Sequence, residues 1–282
     1  MIKHLLRLNN QGKASIVAEI SPEVKAIAAT GDTIYMTSPA EGIIYSYNIK
    51  KDSEPKIFLS ELPQVRGLFA NSECLYCESL ERSFFGIRIF NKFPFSMVGE
   101  RGTKFLGPTQ TSNGTSRING IFYRYSNRNF LMAYPEKHRV YALWENGVID
   151  VYLGDGKKGF SVGGPGLGRL SSPHAVVSCE NRVFVSDTGN NVIREYIAGN
   201  NGHLIGSPIK IGQEDGLYNQ ARLTAPTELA VNANTVFFVD NSNSVRFFLL
   251  PNLTVSTMYR SQHSIEAITV SKDGSVFCTE IA

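Results

Sequence analysis

The run P-H-A-V-V-S-C-E-N-R-V-F-V-S-D-T-G-N-N-V-I-R-E-Y, Pro173 to Tyr196, reads as three short strands joined by tight turns. Ala175 to Cys179 is small and mostly apolar, and Glu180-Asn181 is a turn signal. Val183-Phe184-Val185 is β-branched and aromatic, which suits a pleated, packed surface. Asp187-Thr188-Gly189-Asn190-Asn191 follows; Gly and Asn tolerate positive φ and Asp accepts local backbone hydrogen bonds, so these residues predict a hairpin turn. Val192 to Ile197 is the return strand.

A second copy lies at Pro226 to Leu249, P-T-E-L-A-V-N-A-N-T-V-F-F-V-D-N-S-N-S-V-R-F-F-L. Pro173 stands fourteen residues before Asp187, and Pro226 fourteen before Asp240. Each Asp is followed by an Arg (Arg194, Arg246), and each Pro is preceded by an Arg-Leu pair, Arg169-Leu170 and Arg222-Leu223. Both lead-ins are rich in glycine. Self-similarity at a fixed spacing is the signature of a repeat architecture.

Weaker copies run the length of the chain. The residues that open each first strand are Ala26, Gly67, Gly120, Ala175, Glu228 and Ala267, spaced 41, 53, 55, 53 and 39 apart. This predicts six units, each of four short antiparallel strands. In the second unit the last strand is expected at Phe95–Val98. In the third, the first strand is expected at Gly120–Phe122, with a long polar turn from Arg124 to Asn129. No stretch has the 3.6-residue apolar period of a helix. The sixth unit (264–282) lacks two outer strands, and the opening hairpin (Lys3–Leu8, Ala14–Ile20) supplies two spare ones. Closure of the last blade by residues 1–20 leaves few sheet edges open. One domain spanning 1–282 is expected.

The composition is that of an ordinary globular chain: 282 residues, 19% charged, net charge +3. A charge this small does not argue for nucleic acid or membrane. The four cysteines, Cys74, Cys77, Cys179 and Cys278, all fall in apolar runs and read as buried free thiols of a reducing compartment. Cys74-x-x-Cys77 has no second pair to make a zinc framework. Neither a signal peptide nor a run of about twenty apolar residues is present, so a cytoplasmic chain is expected.

Leu170-x-x-Pro173, the short strand after it and Asp187-Thr188-Gly189-Asn190-Asn191-Val192-Ile193-Arg194 resemble an NHL repeat. The Asp215-Gly216 and Ala221-Arg222-Leu223-Thr224-Ala225-Pro226 lead-in is similar to that family too. The likeness covers roughly residues 150–250. It implies an all-β, six-bladed NHL-like β-propeller. The family includes scaffolds, RNA binders and sensor domains, and among its relatives a few metal-dependent lyases and lactonases, so the fold does not choose the function.

Two motifs invite an enzymatic reading. Gly159-Phe160-Ser161-Val162-Gly163 matches a nucleophile elbow, but Gly164-Pro165-Gly166 follows where that motif needs a helix. Gly154-Asp155-Gly156-Lys157-Lys158-Gly159 matches a dinucleotide loop but opens no helix to hold a pyrophosphate. Both read as loops. The Asp187–Arg194 and Asp240–Arg246 pairs, repeated per unit, read as structural braces.

A propeller's usual site is its central channel. The residues at the start of each first strand are Lys25, Arg66, Asn119, His174, Thr227 with Glu228, and Glu266. Two cations against one or two carboxylates and one histidine do not make a divalent metal site. Glu266 and Glu228 are expected to pair with Lys25, Arg66 or Arg222, and His263 lies near the sixth entry. Arg117, Arg169 and Arg222, with Arg101, Lys104, Lys157 and Lys158, form a basic set of loops flanked by Tyr218, Phe105 and Phe160, a pattern that could stack and neutralise single-stranded RNA. The reading that follows is a monomeric, non-enzymatic module that engages a protein or peptide at the channel mouth, with no cofactor, no metal and no membrane. The alternatives are a metal-dependent lactonase or lyase, and a single-stranded RNA binder.

Overall fold

The structure, a computed structural model, describes residues 2–9, 11–62, 64–70, 74–80, 88–94, 103–109, 123–126, 129–144, 149–164, 166–197 and 200–282. In chain order the strands are β1 (Lys3–Leu8), β2 (Ala14–Ile20), β3 (Ala26–Thr30), β4 (Thr33–Ser38), β5 (Ile43–Asn48) and β6 (Lys56–Leu59). Next come β7 (Arg66–Ala70), β8 (Cys74–Leu80), β9 (Arg88–Pro94), β10 (Thr103–Thr109), β11 (Tyr123–Ser126), β12 (Asn129–Tyr134), β13 (Arg139–Trp144) and β14 (Ile149–Leu153). The repeat-bearing part holds β15 (Pro173–Cys179), β16 (Arg182–Asp187), β17 (Val192–Ile197) and β18 (Asn200–Gly206). Its copy holds β19 (Gly216–Leu217), β20 (Leu229–Asn232), β21 (Thr235–Asp240), β22 (Ser244–Leu249) and β23 (Thr254–Arg260), and β24 (Ser264–Val270) and β25 (Val276–Ile281) end the chain. The described residues contain no α-helix, only one-turn 3₁₀ segments at Pro135–Lys137 and Thr188–Asn190.

These strands make six sheets, all antiparallel. Five have four strands; the sheet β20 to β23 gains β19 on its outer edge as a fifth. The innermost strands meet in sequence: β24 against β3, β3 against β7, β15 against β20, and β20 against β24. The β7–β10 and β11–β14 sheets meet through Cys74, Tyr76, Phe130 and Met132, with the Tyr76 and Phe130 rings 5.2 Å apart, and β11 and β12 pack on β15. The succession therefore returns to its start. β1 pairs with β25 over Lys3 to Leu8, and β2 pairs with β1, so strands from both ends of the chain share one sheet, as the spare hairpin predicted.

The strand pattern explains this packing. Along β16, Val183 and Val185 enter a cluster with Leu131, Val140 and Ala142, while Phe184 between them enters one with Leu229, Phe238 and Phe248. A period of two sends alternate side chains to opposite faces. Here both faces are covered by neighbouring sheets, so the run is apolar throughout instead of alternating with polar residues. Full burial of each such side chain contributes about 1.5–3 kcal/mol.

Two sequence expectations shift. The fourth strand of the second sheet is β10, Thr103–Thr109, which pairs with β9; the expected residues, Phe95–Val98, lie outside the described residues. The first strand of the third sheet is β11, Tyr123–Ser126, within the stretch expected to turn. Its predicted residues, Gly120–Phe122, lie outside the described residues. Polar Tyr-Arg-Tyr-Ser concealed it, because strand pairing there is carried by the backbone and not by an apolar pattern.

The two good repeats use the same brace. The Arg194 guanidinium pairs with Asp187 Oδ2 at 2.6 Å and donates to the carbonyls of Ser161 and Arg169. Asp187 Oδ1 accepts the Ser171 N–H at 2.6 Å. Arg246 pairs with Asp240 Oδ2 at 2.7 Å and donates to the carbonyls of Arg222 and Glu214, while Asp240 Oδ1 accepts the Thr224 N–H at 2.8 Å. Each brace ties the inner hairpin to its own lead-in loop. Thr188 Oγ1 donates to the Pro226 carbonyl and Asn191 Oδ1 accepts from Ala225 N–H, so the turn of one repeat also holds the entry of the next. The D-T-G-N-N residues are thus spent on loop anchoring.

Candidate functional site: the central channel

The first strands of the sheets converge on a cavity of about 920 Å³. Its wall is largely small and apolar, with Ala26, Ala28, Leu68, Val177 and Ile268 among the lining residues. One end gathers the polar groups Lys25, His174, Thr227, Glu228 and Glu266, joined by Glu23. Five sequence-predicted residues therefore do meet. Each lies just before an inner strand or within its first three residues, and the ring brings those strand ends together.

Arg66 opens β7 and pairs in the ladder with Glu78; its side chain lies outside the described residues. Asn119 and Arg117 lie outside the described residues altogether. Arg222 does not face the channel: its guanidinium donates to the carbonyls of Asn219 and Ala221, capping its own loop. Arg169 pairs with Asp155 at 3.0 Å. His263 is exposed and is not among the cavity residues. Phe160 packs under the Arg194 guanidinium at 4.6 Å, and Tyr218 stands edge-on to His203 at 4.6 Å, so both rings are already engaged. Ser161, the serine of G-x-S-x-G, sits in a backbone bridge with Arg169. The loop readings of both glycine motifs hold.

Glu266 is paired twice. Lys25 Nζ reaches its carboxylate at 3.2 Å, as the sequence predicts. The second cation, Lys3, was not foreseen: fully buried in β1, its ammonium donates to Glu266 and to the carbonyls of Pro22 and Val24. Burial alone would raise the Glu266 carboxyl, but the two lysines outweigh it and hold it below the usual range. Burial lowers the Lys3 ammonium, against the pull of Glu266. Only the pairing of β1 with β25 carries Lys3 to Glu266, so no local pattern could have found it.

Glu228 differs. Its residue keeps 9% of its surface. No lysine or arginine pairs with it among the described residues. Its neighbour is His174 Nδ1, at 3.4 Å, and that nitrogen is buried without a hydrogen-bond partner. Burial, reinforced by the charge of Glu266, pushes the Glu228 carboxyl up to about 8. Burial holds the His174 imidazole down, to about 4. Near neutral pH the pair is an uncharged acid beside an uncharged imidazole, each with unused hydrogen-bonding capacity. Among the described residues, no three His, Cys, Asp or Glu side chains come together in a group able to hold a metal ion.

No protein-family model matches the chain, and no curated protein matches its sequence. Solved structures do match in shape. A putative TolB from Agrobacterium tumefaciens aligns over 100% of this chain and 99% of its own, with a TM-score of 0.64 and 13% identity. A nidogen/laminin complex structure aligns over 95% and 97%, with a TM-score of 0.64 and 13% identity. The virginiamycin B lyase of Staphylococcus aureus aligns over 99% of each chain, with a TM-score of 0.56 and 12% identity. The fold is a β-propeller. At these identities the likeness reaches the fold alone, and the neighbours' differing names give no common activity. The propeller's channel, with its polar end at the strand entries, is the concave feature from which function has to be argued.

Proposed function

We propose that this chain is a binding propeller, which engages a protein or peptide segment at the channel mouth without catalysing a reaction. In this reading each of the six sheets is one blade, the chain is a single domain, and the units at 150–250 are NHL-like repeats. The observation that carries it is the shape and chemistry of the cavity: an apolar wall with a few convergent polar groups at its open end, as in recognition sites generally. The two repeat-borne charged pairs are consumed in bracing, and Glu266 by its lysines, which leaves Glu228, His174 and Thr227 to select a partner.

The RNA reading draws less support, because Arg169 is neutralised by Asp155 and Arg222 faces backbone carbonyls. No helix among the described residues is long and apolar enough to cross a membrane. The thiols of Cys74, Cys77 and Cys278 are buried, which supports a reducing compartment.

The test is selection of a displayed random peptide library on the immobilised protein. A recovered consensus should bind the unaltered chain and be lost on Thr227→Trp, which fills the mouth. Failure to recover any sequence, or a binder indifferent to Thr227→Trp and Lys25→Ala, overturns the reading.

A further inference from the structure

Two groups in the channel are left incomplete by the fold, and they are adjacent. The Glu228 carboxyl, nine-tenths buried on β20's approach, pairs with no lysine or arginine among the described residues, whereas Glu266 has two. His174 Nδ1, 3.4 Å away at the start of β15, makes no hydrogen bond although water does not reach it. Buried polar groups without partners are rare and costly, and their persistence in a cavity calls for an account. The missing complement has to bring positive charge to Glu228 and a donor to the imidazole nitrogen. It must also be slender enough to pass a wall of alanines and branched aliphatics.

We propose that the channel binds a primary ammonium group, seated between Glu228 and His174 and presented on an aliphatic stem by the peptide partner. This rests on the binding reading above and names its anchor. An ammonium carries three donors on one compact charge. One satisfies the Glu228 carboxylate; a small turn of the His174 ring, whose Nδ1 is closed to solvent in this structure, presents that nitrogen to a second. The aliphatic stem lies along the apolar wall, as lysine stems do elsewhere. The source is a lysine side chain or a chain N-terminus, which share this chemistry.

The titratable and charged groups that face Glu228 among the described residues are His174 from β15 and Glu266 from β24, with Lys25, Glu23 and Lys3 grouped around Glu266. Glu266 is neutralised by its lysines, so it repels the incoming ammonium little. Because burial keeps Glu228 protonated below about pH 8, seating the cation releases that proton. Binding therefore strengthens with pH.

The experiment titrates the whole chain with n-butylammonium chloride by calorimetry at pH 6.5 and 9.0. Controls are n-butanol, which has the shape without the charge, and tetramethylammonium, which has the charge without donors. Saturable binding of n-butylammonium alone is expected, roughly thirty-fold tighter at pH 9.0, the ratio of ionised Glu228 at the two values. Glu228→Gln should abolish it while keeping the fold, since the amide is isosteric and uncharged. His174→Leu, which leaves Glu228 in place, should weaken it about ten-fold. Equal binding of either control, no saturation at either pH, or full binding by Glu228→Gln overturns the proposal. An N-terminally acetylated peptide with one lysine, set against a lysine-free peptide with a free terminus, separates the two sources. A selected peptide that binds equally with norleucine in place of lysine and a blocked terminus sinks the ammonium anchor and leaves the binding reading standing.

Discussion

Arg246 and Asp240 meet at 2.7 Å with both side chains fully buried. The same pairing recurs between Arg194 and Asp187 at 2.6 Å in the neighbouring repeat. The two turns that carry them differ: one is a 3₁₀ turn ending on Asn191 at φ 56°, the other places Asn241 and Ser242 at φ 53° and 55°. Different turns deliver one brace, and in both the arginine donates to the lead-in carbonyl, of Arg169 or of Arg222, at 2.7 Å.

Removing one member of such a pair leaves a buried charge uncompensated, at about 3–5 kcal/mol. Arg246→Leu should destabilise by that order in denaturant melts. Arg246→Leu with Asp240→Asn should cost clearly less than the sum of the single changes. Additivity within about 0.5 kcal/mol would show that the pair does not act as a unit.

Lys3 ties the first strand to the last sheet through Glu266 and two carbonyls. Lys3→Met keeps the stem but removes the donors, and should lower stability by roughly 2–4 kcal/mol. The drop should exceed that of Lys25→Met, whose side chain is half exposed. Equal losses for the two lysines would contradict this account.

Gly189 lies against the lead-in of its own repeat: its N–H donates to the Ser171 carbonyl at 2.8 Å, and an added Cβ would stand only 2.8 Å from that oxygen. Gly189→Ala should therefore destabilise by about 1–3 kcal/mol through a forced shift of backbone. Gly166, where an added Cβ would meet open space, has φ 72° and so stands for strain without crowding. Thermal melts of the two alanine variants, with Gly189→Ala the worse, check this.

Stability should fall as pH rises through Glu228. Its carboxyl is raised in the folded state, to about 8, so between its unfolded value and pH 8 the folded chain holds a proton the unfolded chain has lost. His174 works the other way, because its lowered imidazole loses stability as pH falls below about 6.5. Between pH 6.5 and 8 Glu228 acts without that opposition, and the loss is on the order of 1–2 kcal/mol. Melts of Glu228→Gln over this window should show a correspondingly flatter slope; a slope identical to that of the unaltered chain removes Glu228 from the explanation.

Of the four thiols, Cys74, Cys77 and Cys278 are buried, and burial pushes the Cys278 thiol well up. Cys179 is half-buried and donates to the Ala233 carbonyl. Thiol titration of the native protein should modify at most one cysteine quickly, with the others following unfolding. Fast reaction of two or more would show that β8 or β25 opens on its own.

The fold was legible in the repeat from Pro173 to Tyr196 and its copy from Pro226, because strand alternation, turn residues and the Asp–Arg spacing are all local. The pairing of the N-terminal hairpin with β25 was also readable, since counting strands left two without partners. The strand β11 was not, as its residues carry no apolar pattern. In the site, Lys25, His174, Thr227, Glu228 and Glu266 were named from one rule, that strand entries meet at a channel. What the sequence could not settle is which charge meets which. Lys3 reaches Glu266 across 263 positions of chain, while among the described residues Glu228 is met by His174. Those partnerships depend on how each inner strand is set in the ring, to within an ångström or two. Desolvation then acts on whichever group is left without a counter-charge, and that is a property of the assembled interior alone.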